Sequence, residues 1–431
     1  MAQIPVLIIL AGGASSRMWP LREKSLMRFG TEPLLVSQLQ RYKALGFNEA
    51  IIVGNPENCN DMNALTSQLR SIHVQTVEQP EPRGMGDAIL QAAPALADRP
   101  ETPIYITQVH DVVDDRMHKS MLDAYQANPS ANYIAGYEYA GYFPGGYLIV
   151  DREGQISGIV EKPGAENKPS NLVNIVAHVH RDAAQLFNAI RAEYAKDIPT
   201  DDHYERAMDG LMRTQVFRVV PYQGPWNALK YPWHVLDVMN YFLMQIEGQI
   251  VAKSAFVADT AKLVGNVYIG ENVRIFPGAS VVGPAYIGAG TIVGNNSLVR
   301  QSMVLNHCEV GFTTEVARSY VADHCAMHAC RVLDSVFAPN VNFSAGCTTA
   351  NLRIDRGEVS SIVKGQKIGT GRDKLGAIIG QNAFLGVDVM TMPGVKIGER
   401  AQVGPGTHVF TDVKNGQRVY VKQEITVVDG E

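Results

Sequence analysis

Residues 257–299 read VADTAKLVGNVYIGENVRIFPGASVVGPAYIGAGTIVGNNSLV, with an aliphatic side chain at every sixth position: Val257, Leu263, Ile269, Ile275, Val281, Ile287, Val293 and Val299. A period of six matches neither the 3.6-residue repeat of a helix nor the alternation of an amphipathic strand. Eight anchors in phase predict a β-helix, in which each hexapeptide forms one face of a triangular coil and its aliphatic residue points inward. Glycine follows several anchors, as in Ile269-Gly270 and Ile287-Gly288, and reads as a corner residue. The period returns at Ile379, Leu385, Thr391, Ile397, Val403 and Val409. In between, the phase slips near Leu305, and the polar, Gly/Lys-rich segment 352–377 reads as a loop inserted between two coils. The outer faces of such a coil are open β surfaces, which predicts side-by-side packing of copies.

Working toward the N-terminus, the pattern changes near residue 250. Short apolar runs at Val6–Leu10, Ala50–Val53, Ile104–Val109, Tyr147–Val150 and Val216–Val220 predict strands. Leu35–Leu45 and Gly86–Leu96 carry apolar residues every three or four positions and predict helices between them. Alternating strands and helices predict an α/β domain with a mainly parallel sheet, whose ligands sit beyond the carboxyl ends of the strands. Trp233–Gln249 is apolar on one side and predicts a joining helix. The expected domains are therefore 1–232, a linker helix at 233–251, and a β-helix at 252–431.

Composition narrows the function. The chain has 431 residues, 46% hydrophobic and 19% charged, which suits a folded globular protein. A net charge of −5 argues against a nucleic-acid coat, so no nucleic-acid partner is expected. No run of eighteen apolar residues suggests a membrane span, and the opening residues lack the basic segment of a signal peptide. Five cysteines are sparse and odd in number, which predicts reduced thiols and a cytoplasmic location. His307-Cys308, His324-Cys325 and His328/Cys330 match no zinc spacing.

The most informative short string is Leu10-Ala11-Gly12-Gly13-Ala14-Ser15-Ser16-Arg17-Met18-Trp19-Pro20-Leu21, followed by Lys24. Its glycines let backbone N–H groups approach a phosphate chain, and Arg17 and Lys24 supply positive charge. The spacing is neither a P-loop nor GxGxxG, which disfavours kinases and dehydrogenases.

This string resembles the signature of sugar-1-phosphate nucleotidylyltransferases: a strand ending in LAxG, a small-residue loop, R-[ML]-x-P-L, then a lysine. Gln79 and Gly84-Met85-Gly86-Asp87-Ala88 resemble that family's base-contacting segment, and His110-Asp111 stands where it carries a magnesium-binding aspartate. Gly146, Glu161-Lys162-Pro163 and Asn174 fall where it contacts the sugar and the reacting phosphate. The resemblance implies an α/β Rossmann-like nucleotidyltransferase domain that condenses a nucleoside triphosphate with a sugar-1-phosphate. Arg17, Lys24, Asp111 and Lys162 would be catalytic; Leu10, Ala11, Gly12, Gly13, Gln79, Gly84 and Met85 would bind nucleotide; Gly146, Glu161 and Asn174 would bind sugar phosphate. Mg²⁺ would be held by Asp111. Many relatives add a second aspartate in W-x-D-[IV]-G-x-P-W; here Ala228 occupies that position, and the adjacent Asn227 is the candidate second ligand.

The second half resembles the left-handed parallel β-helix of archaeal-type bifunctional nucleotidylyltransferase/acetyltransferases. The strings are Asn340-Val341-Asn342-Phe343, residues 345–353 (AGCTTANLR), residues 371–380 (GRDKLGAIIG) and residues 392–398 (MPGVKIG). The resemblance implies a homotrimer with acetyl-CoA bound between neighbouring coils. His328 would be the base on the sugar amine, with Asn342 and Asn351 at matching positions. Arg331 stands where a tyrosine is expected, and Gly357 and Ser360 are among the residues in place of expected lysines. Three functions follow: nucleotidyl transfer alone, nucleotidyl transfer with N-acetylation of an amino-sugar-1-phosphate, or a non-catalytic regulatory or assembly subunit.

Overall fold

The computed structural model describes residues 2–196 and 201–428, which pack as two compact units. The first holds the chain through Ala14 and then Pro33–Ala228; the second holds Ser15–Glu32 and the chain from Leu229 onward. The division therefore falls inside the signature string, between Ala14 and Ser15.

In the first unit, β1 (Val6–Leu10), β2 (Glu49–Gly54), β3 (His73–Glu78) and β4 (Ile104–Gln108) run parallel in the order β4–β1–β2–β3. All five residues of β1 are buried, as expected of a strand covered on both faces. After the short β5 (Asp111–Val113) come β6 (Asn132–Glu138), β7 (Gly146–Val150), β8 (Ile156–Glu161) and β9 (Leu172–His180). Antiparallel pairs join β9 to β4, β6 and β7, and β8 to β7. β10 (Phe217–Tyr222) lies parallel to β6, and β11 (Trp226–Ala228) pairs with β5. The sheet is thus mixed rather than mainly parallel. Between β6 and β9 no α-helix intervenes; β7 and β8 form an antiparallel hairpin, and β9 returns to pair antiparallel with both β6 and β7.

The helices of this unit are α1 (Leu34–Ala44), α2 (Cys59–Thr66), α3 (Met85–Gln91), α4 (Asp115–Ala127), α5 (Ala183–Tyr194) and α6 (His203–Met212). Asp114 caps α4 by accepting from Arg116 N at 2.8 Å, and Asp182 caps α5 by accepting from Gln185 N at 3.0 Å. The helix expected over Gly86–Leu96 ends at Gln91 and continues as a 3₁₀ turn, Ala93–Leu96, that contains Pro94. Proline lacks the N–H that would continue the ladder.

The second unit contains α7 (Val235–Leu243) and then three parallel sheets of eight, nine and eight two- or three-residue strands, a parallel β-helix of hexapeptide repeats. Ile269, Ile275, Val281, Ile287, Val293 and Val299 are fully buried in one core with the anchors of the later coils. The phase slip near Leu305 has a simple cause: the coils shorten. Ile275 pairs with Val293 eighteen residues on, Val293 with Val310 seventeen on, and Met327 with Phe343 sixteen on. Cys308, Cys325, Cys330 and Cys347 point into this core. The inserted segment is ordered as an antiparallel hairpin, Val359–Val363 with Gln366–Arg372. Lys364 and Gly365 form its tip, both at positive φ (48° and 79°), the signature of a tight type I′ turn.

Candidate functional site

Where β1 ends, the glycine turn is clamped from the end of β2 and the segment after it. Ala11 N donates to Val53 O at 2.8 Å, while the side chains of Asn58 and Asn55 donate to Ala11 O and Gly12 O at 3.0 and 3.2 Å. A Cβ on Gly12 would lie 3.0 Å from Gly54 O and 3.2 Å from Gln79 Oε1, closer than side-chain carbons normally approach. Gln79 is buried, and its amide nitrogen donates to Gly84 O (3.1 Å) and Asp87 Oδ2 (2.9 Å). Both amide hydrogens are committed, so the carbonyl oxygen is the end turned toward Gly12. Gly84 precedes α3 at φ +97°, and Met85 begins that helix. Asp87, inside a segment that the sequence pointed to, had no role assigned to it there; a carboxylate eight residues after a glutamine becomes informative only once α3 folds back.

Asp111 opens β5 and is only 4% exposed. Trp226 Nε1 donates to its Oδ1 at 3.3 Å. The β5–β11 register sets Ala228 opposite Asp111 and Asn227 opposite Val112. Successive side chains of a strand point to opposite faces, so Asn227 belongs to the other face and a methyl group faces the Asp111 carboxylate. The structure does not bring the candidate pair Asp111 and Asn227 together.

On the far side of the sheet, Glu161 at the end of β8 pairs with Gly146. A Cβ at Gly146 would sit 3.2 Å from Glu161 Oε2, so the glycine leaves that carboxylate room. Lys162 Nζ lies 3.3 Å from Glu161 Oε1 and 3.3 Å from Asp201 Oδ2. Partial burial alone would lower the Lys162 pKa, but the two carboxylates outweigh it and hold the ammonium above its ordinary value.

Asn174, buried in β9, anchors a chain of side chains. Its Oδ1 lies 2.7 Å from His178 Nε2, His178 Nδ1 lies 2.7 Å from the Tyr204 hydroxyl, and that oxygen lies 2.9 Å from His180 Nε2. Burial pushes His178 down to about 3 and His180 well below its usual range, so both rings are neutral. One proton order satisfies every contact: His180 donates to Tyr204, Tyr204 to His178, and His178 to Asn174 Oδ1. The Asn174 amide is thereby fixed with its NH₂ outward. Beside it, α6 carries Glu205, raised to about 8 first by burial and then by the Glu161 carboxylate. Glu161, Glu193, Asp202, Glu205 and Asp209 line one cavity of about 480 Å³ with Lys196, Arg206 and Arg213.

Arg17 and Lys24 belong to the second unit. There the signature loop is held by side chains of the β-helix: Trp19 Nε1 donates to Asn415 Oδ1 (2.8 Å), and Arg22 Nε donates to Glu399 Oε2 (2.9 Å). The Arg17 guanidinium lies 5.7 Å from the Tyr231 ring centroid, and Lys24 is buried in a 3₁₀ turn, Lys24–Leu26.

Of the acetyl-transfer candidates, His328 follows strand Ala326–Met327, and Ala326 pairs with Asn342 on the next coil, so His328 and Asn342 share one face. His328 is exposed and its ring overlies Gly311, whose added Cβ would be 2.8 Å from Nδ1. Asn351 follows a strand of a different face, and its amide donates to Asp334, which also accepts two bonds from Arg318 at 2.7 Å. No group of three or more metal-ligating side chains occurs among the described residues, and no described helix is long and apolar enough to cross a membrane.

Residues 6–208 match the nucleotidyl transferase family, and residues 266–301 and 376–411 match the bacterial transferase hexapeptide of six repeats. A bifunctional sugar-1-phosphate nucleotidylyltransferase/acetyltransferase of Sulfurisphaera tokodaii is 29% identical over 95% of this chain and 98% of its own. The bifunctional protein GlmU of Methanococcus aeolicus is 27% identical over 97% of this chain and 98% of its own. Among solved structures, a UDP-glucose pyrophosphorylase aligns with 56% of this chain and all of its own at 18% identity and a TM-score of 0.47.

Proposed function

The chain belongs to the sugar-1-phosphate nucleotidylyltransferase family, and from that premise we propose that it condenses a nucleoside triphosphate with a sugar-1-phosphate and releases pyrophosphate. The observation that carries this reading is the set of polar groups ordered around Glu161, Lys162 and Asn174, in the same unit as the Gly12–Gln79 turn. A phosphate oxygen of the sugar phosphate attacks the α-phosphorus; a P–O bond forms there, and the bond to the β-phosphate breaks. A phosphate monoester is already nucleophilic, so the site needs positive charge rather than a strong base. Arg17 and Lys24 hold the triphosphate, Lys162 lies at the α-phosphate, Glu161 accepts from sugar hydroxyls, and Asn174 donates to the sugar phosphate.

Gln79 presents a carbonyl oxygen, which accepts from the imide N–H of uracil or thymine. We therefore expect uridine or thymidine triphosphate to be preferred. A single buried carboxylate fits Mg²⁺, which keeps several waters and takes one or two carboxylates beside phosphate oxygens. Held by Asp111, the ion would neutralise charge on the phosphates. Asn227 is the weaker candidate because of its register.

The test is Mg²⁺-dependent pyrophosphate release with a panel of triphosphates and sugar-1-phosphates. Release with no pair, together with no triphosphate binding by calorimetry, would leave a non-catalytic assembly subunit as the reading. Arg17→Ala and Asp111→Ala should each lower turnover by roughly a hundredfold or more with unchanged circular dichroism; near-wild-type rates in either would remove that residue from the site.

The second reading adds acetyl transfer from acetyl-CoA, favoured by His328 and Asn342 on one coil face. Asn351 is tied to Asp334 and Arg331 carries no hydroxyl, so little or no thiol should appear from acetyl-CoA with glucosamine-1-phosphate. We further propose association as a homotrimer through the outer coil faces, and a cytoplasmic setting suited to four thiols that fill the coil interior.

A further inference from the structure

A cavity of about 440 Å³ in the second unit is lined by Arg17, Lys364, Lys396 and Lys414, with Asp412 as the one carboxylate among its described residues. Trp19 and Ser16 from the signature loop, and Ile362, Val363 and Gly365 from the hairpin, complete it. Three pieces of chain remote in sequence therefore converge on one cationic hollow. Like charges gathered at one place repel, and the repulsion is relieved only by an anion or by wide solvation.

Arg17 and Lys396 are held by the fold, while Lys364 and Lys414 are exposed on backbone that the fold positions. Lys396 is almost wholly buried; its ammonium donates to Ile362 O, lies 3.5 Å from Asp412 Oδ2, and sits 4.7 Å from the Trp19 ring centroid. Lys364 occupies the tip of the hairpin, in a turn that leaves its backbone little freedom. The hairpin is in turn pinned to the coil by Ser361 Oγ donating to Gly394 O at 2.9 Å, and by an ion pair between Arg372 and Asp237. Lys414 extends from the last coils, where Lys396 and Asp412 also stand. Among the described residues, neither Lys364 nor Lys414 has a carboxylate oxygen within 4.0 Å.

We propose that this hollow is a binding site for inorganic pyrophosphate, built from the β-helix and its hairpin together with Arg17. The inference rests on the nucleotidyl-transfer reading for its source of ligand: that reaction releases pyrophosphate as its leaving group. Three excess positive charges match a compact polyanion, with the Arg17 fork able to take two phosphate oxygens and the lysines acting as point charges. A nucleobase is the poorer fit, because Lys396 occupies one face of Trp19, the only aromatic ring among the described lining residues. An extended nucleic acid is poorer still on a chain of net charge −5. The β-helix thereby takes part in the phosphate chemistry of the loop it packs against, holding the product until it is displaced.

The test is calorimetric titration of the full-length chain with inorganic pyrophosphate, in wild type and in the Lys364→Ala/Lys414→Ala double variant. Both lysines extend from the surface, so the double variant should fold, which its melting temperature checks. The expected result is pyrophosphate binding weakened at least about tenfold in the variant, with pyrophosphate inhibition of the forward reaction weakened in parallel. Equal affinity in the two proteins, or no pyrophosphate binding to wild type, would overturn the proposal. A weakening seen equally with orthophosphate assigns the hollow to phosphate groups generally rather than to the product, and overturns it as stated. Failure of the titration leaves the release assay above untouched, and failure of every substrate pair in that assay leaves the titration informative, so the two readings fall separately.

Discussion

Asn174 offers its amide hydrogens outward only while its oxygen is held, and three buried side chains hold it. Tyr204→Phe removes the middle link of that chain while keeping the ring. The expected outcome is a KM for sugar phosphate raised roughly tenfold, with the KM for triphosphate within about twofold; the reverse pattern in steady-state kinetics would show that Asn174 serves the nucleotide. Glu205 makes a different prediction. Its pKa of about 8 lies above the ordinary carboxylate value, so the folded chain keeps a proton that the unfolded chain releases. Stability should therefore fall as pH rises from the ordinary carboxylate range toward 8, by on the order of a few kcal/mol. Glu205→Gln should abolish that slope, leaving the variant the more stable protein above pH 8; parallel denaturant curves at pH 5 and 8.5 check it. Residues set in local strings were legible in the sequence: Gly12, Arg17, Asp111 and Glu161-Lys162 all stand beside distinctive neighbours. Asp87, Tyr204 and Glu205 were not, because helices α3 and α6 bring them in from positions whose spacing reads as ordinary helix surface or core.

At the scale of elements, the coil was readable because its signal is local and repeated. Each anchor needs only its own hexapeptide to be recognised, and the stacking of one coil on the next follows. The shortening to seventeen and sixteen residues was not readable, since a lost corner residue looks like noise in a periodic pattern. The hairpin escaped for the opposite reason: its polar strands carry little alternation, and its order comes from Ser361 and Arg372 bonding to chain far away in sequence. In the first unit, the antiparallel run from β6 to β9 changed the sheet class, as one hairpin and two connections without an α-helix replaced the expected helical crossovers. The interior anchors should behave as a packed core. Ile287 is fully buried between coils, so Ile287→Ala should cost roughly 2–4 kcal/mol in chemical denaturation. A loss below about 1 kcal/mol would mean that the coil relaxes around the missing volume.

At the scale of the molecule, the outer faces of the β-helix are the surfaces on which copies would meet, and multi-angle light scattering should return a mass near three chains; a monomer at micromolar concentration would refute the trimer. The grouping of Ser15–Glu32 with the β-helix has a practical consequence for dividing this protein. A fragment ending near residue 232 would keep the whole signature string yet remove Asn415, which receives Trp19, and Glu399, which receives Arg22. It would also uncover Phe29, whose ring stacks on Phe242 at 5.6 Å and meets Tyr320 at 5.5 Å. Such a fragment should be sticky and inactive even though every residue of its family signature is present, and a grafted β-helix that lacks these partners should not rescue it. The catalytic half of this chain is separable on paper at one peptide bond, but its most diagnostic loop is a tenant of the other half.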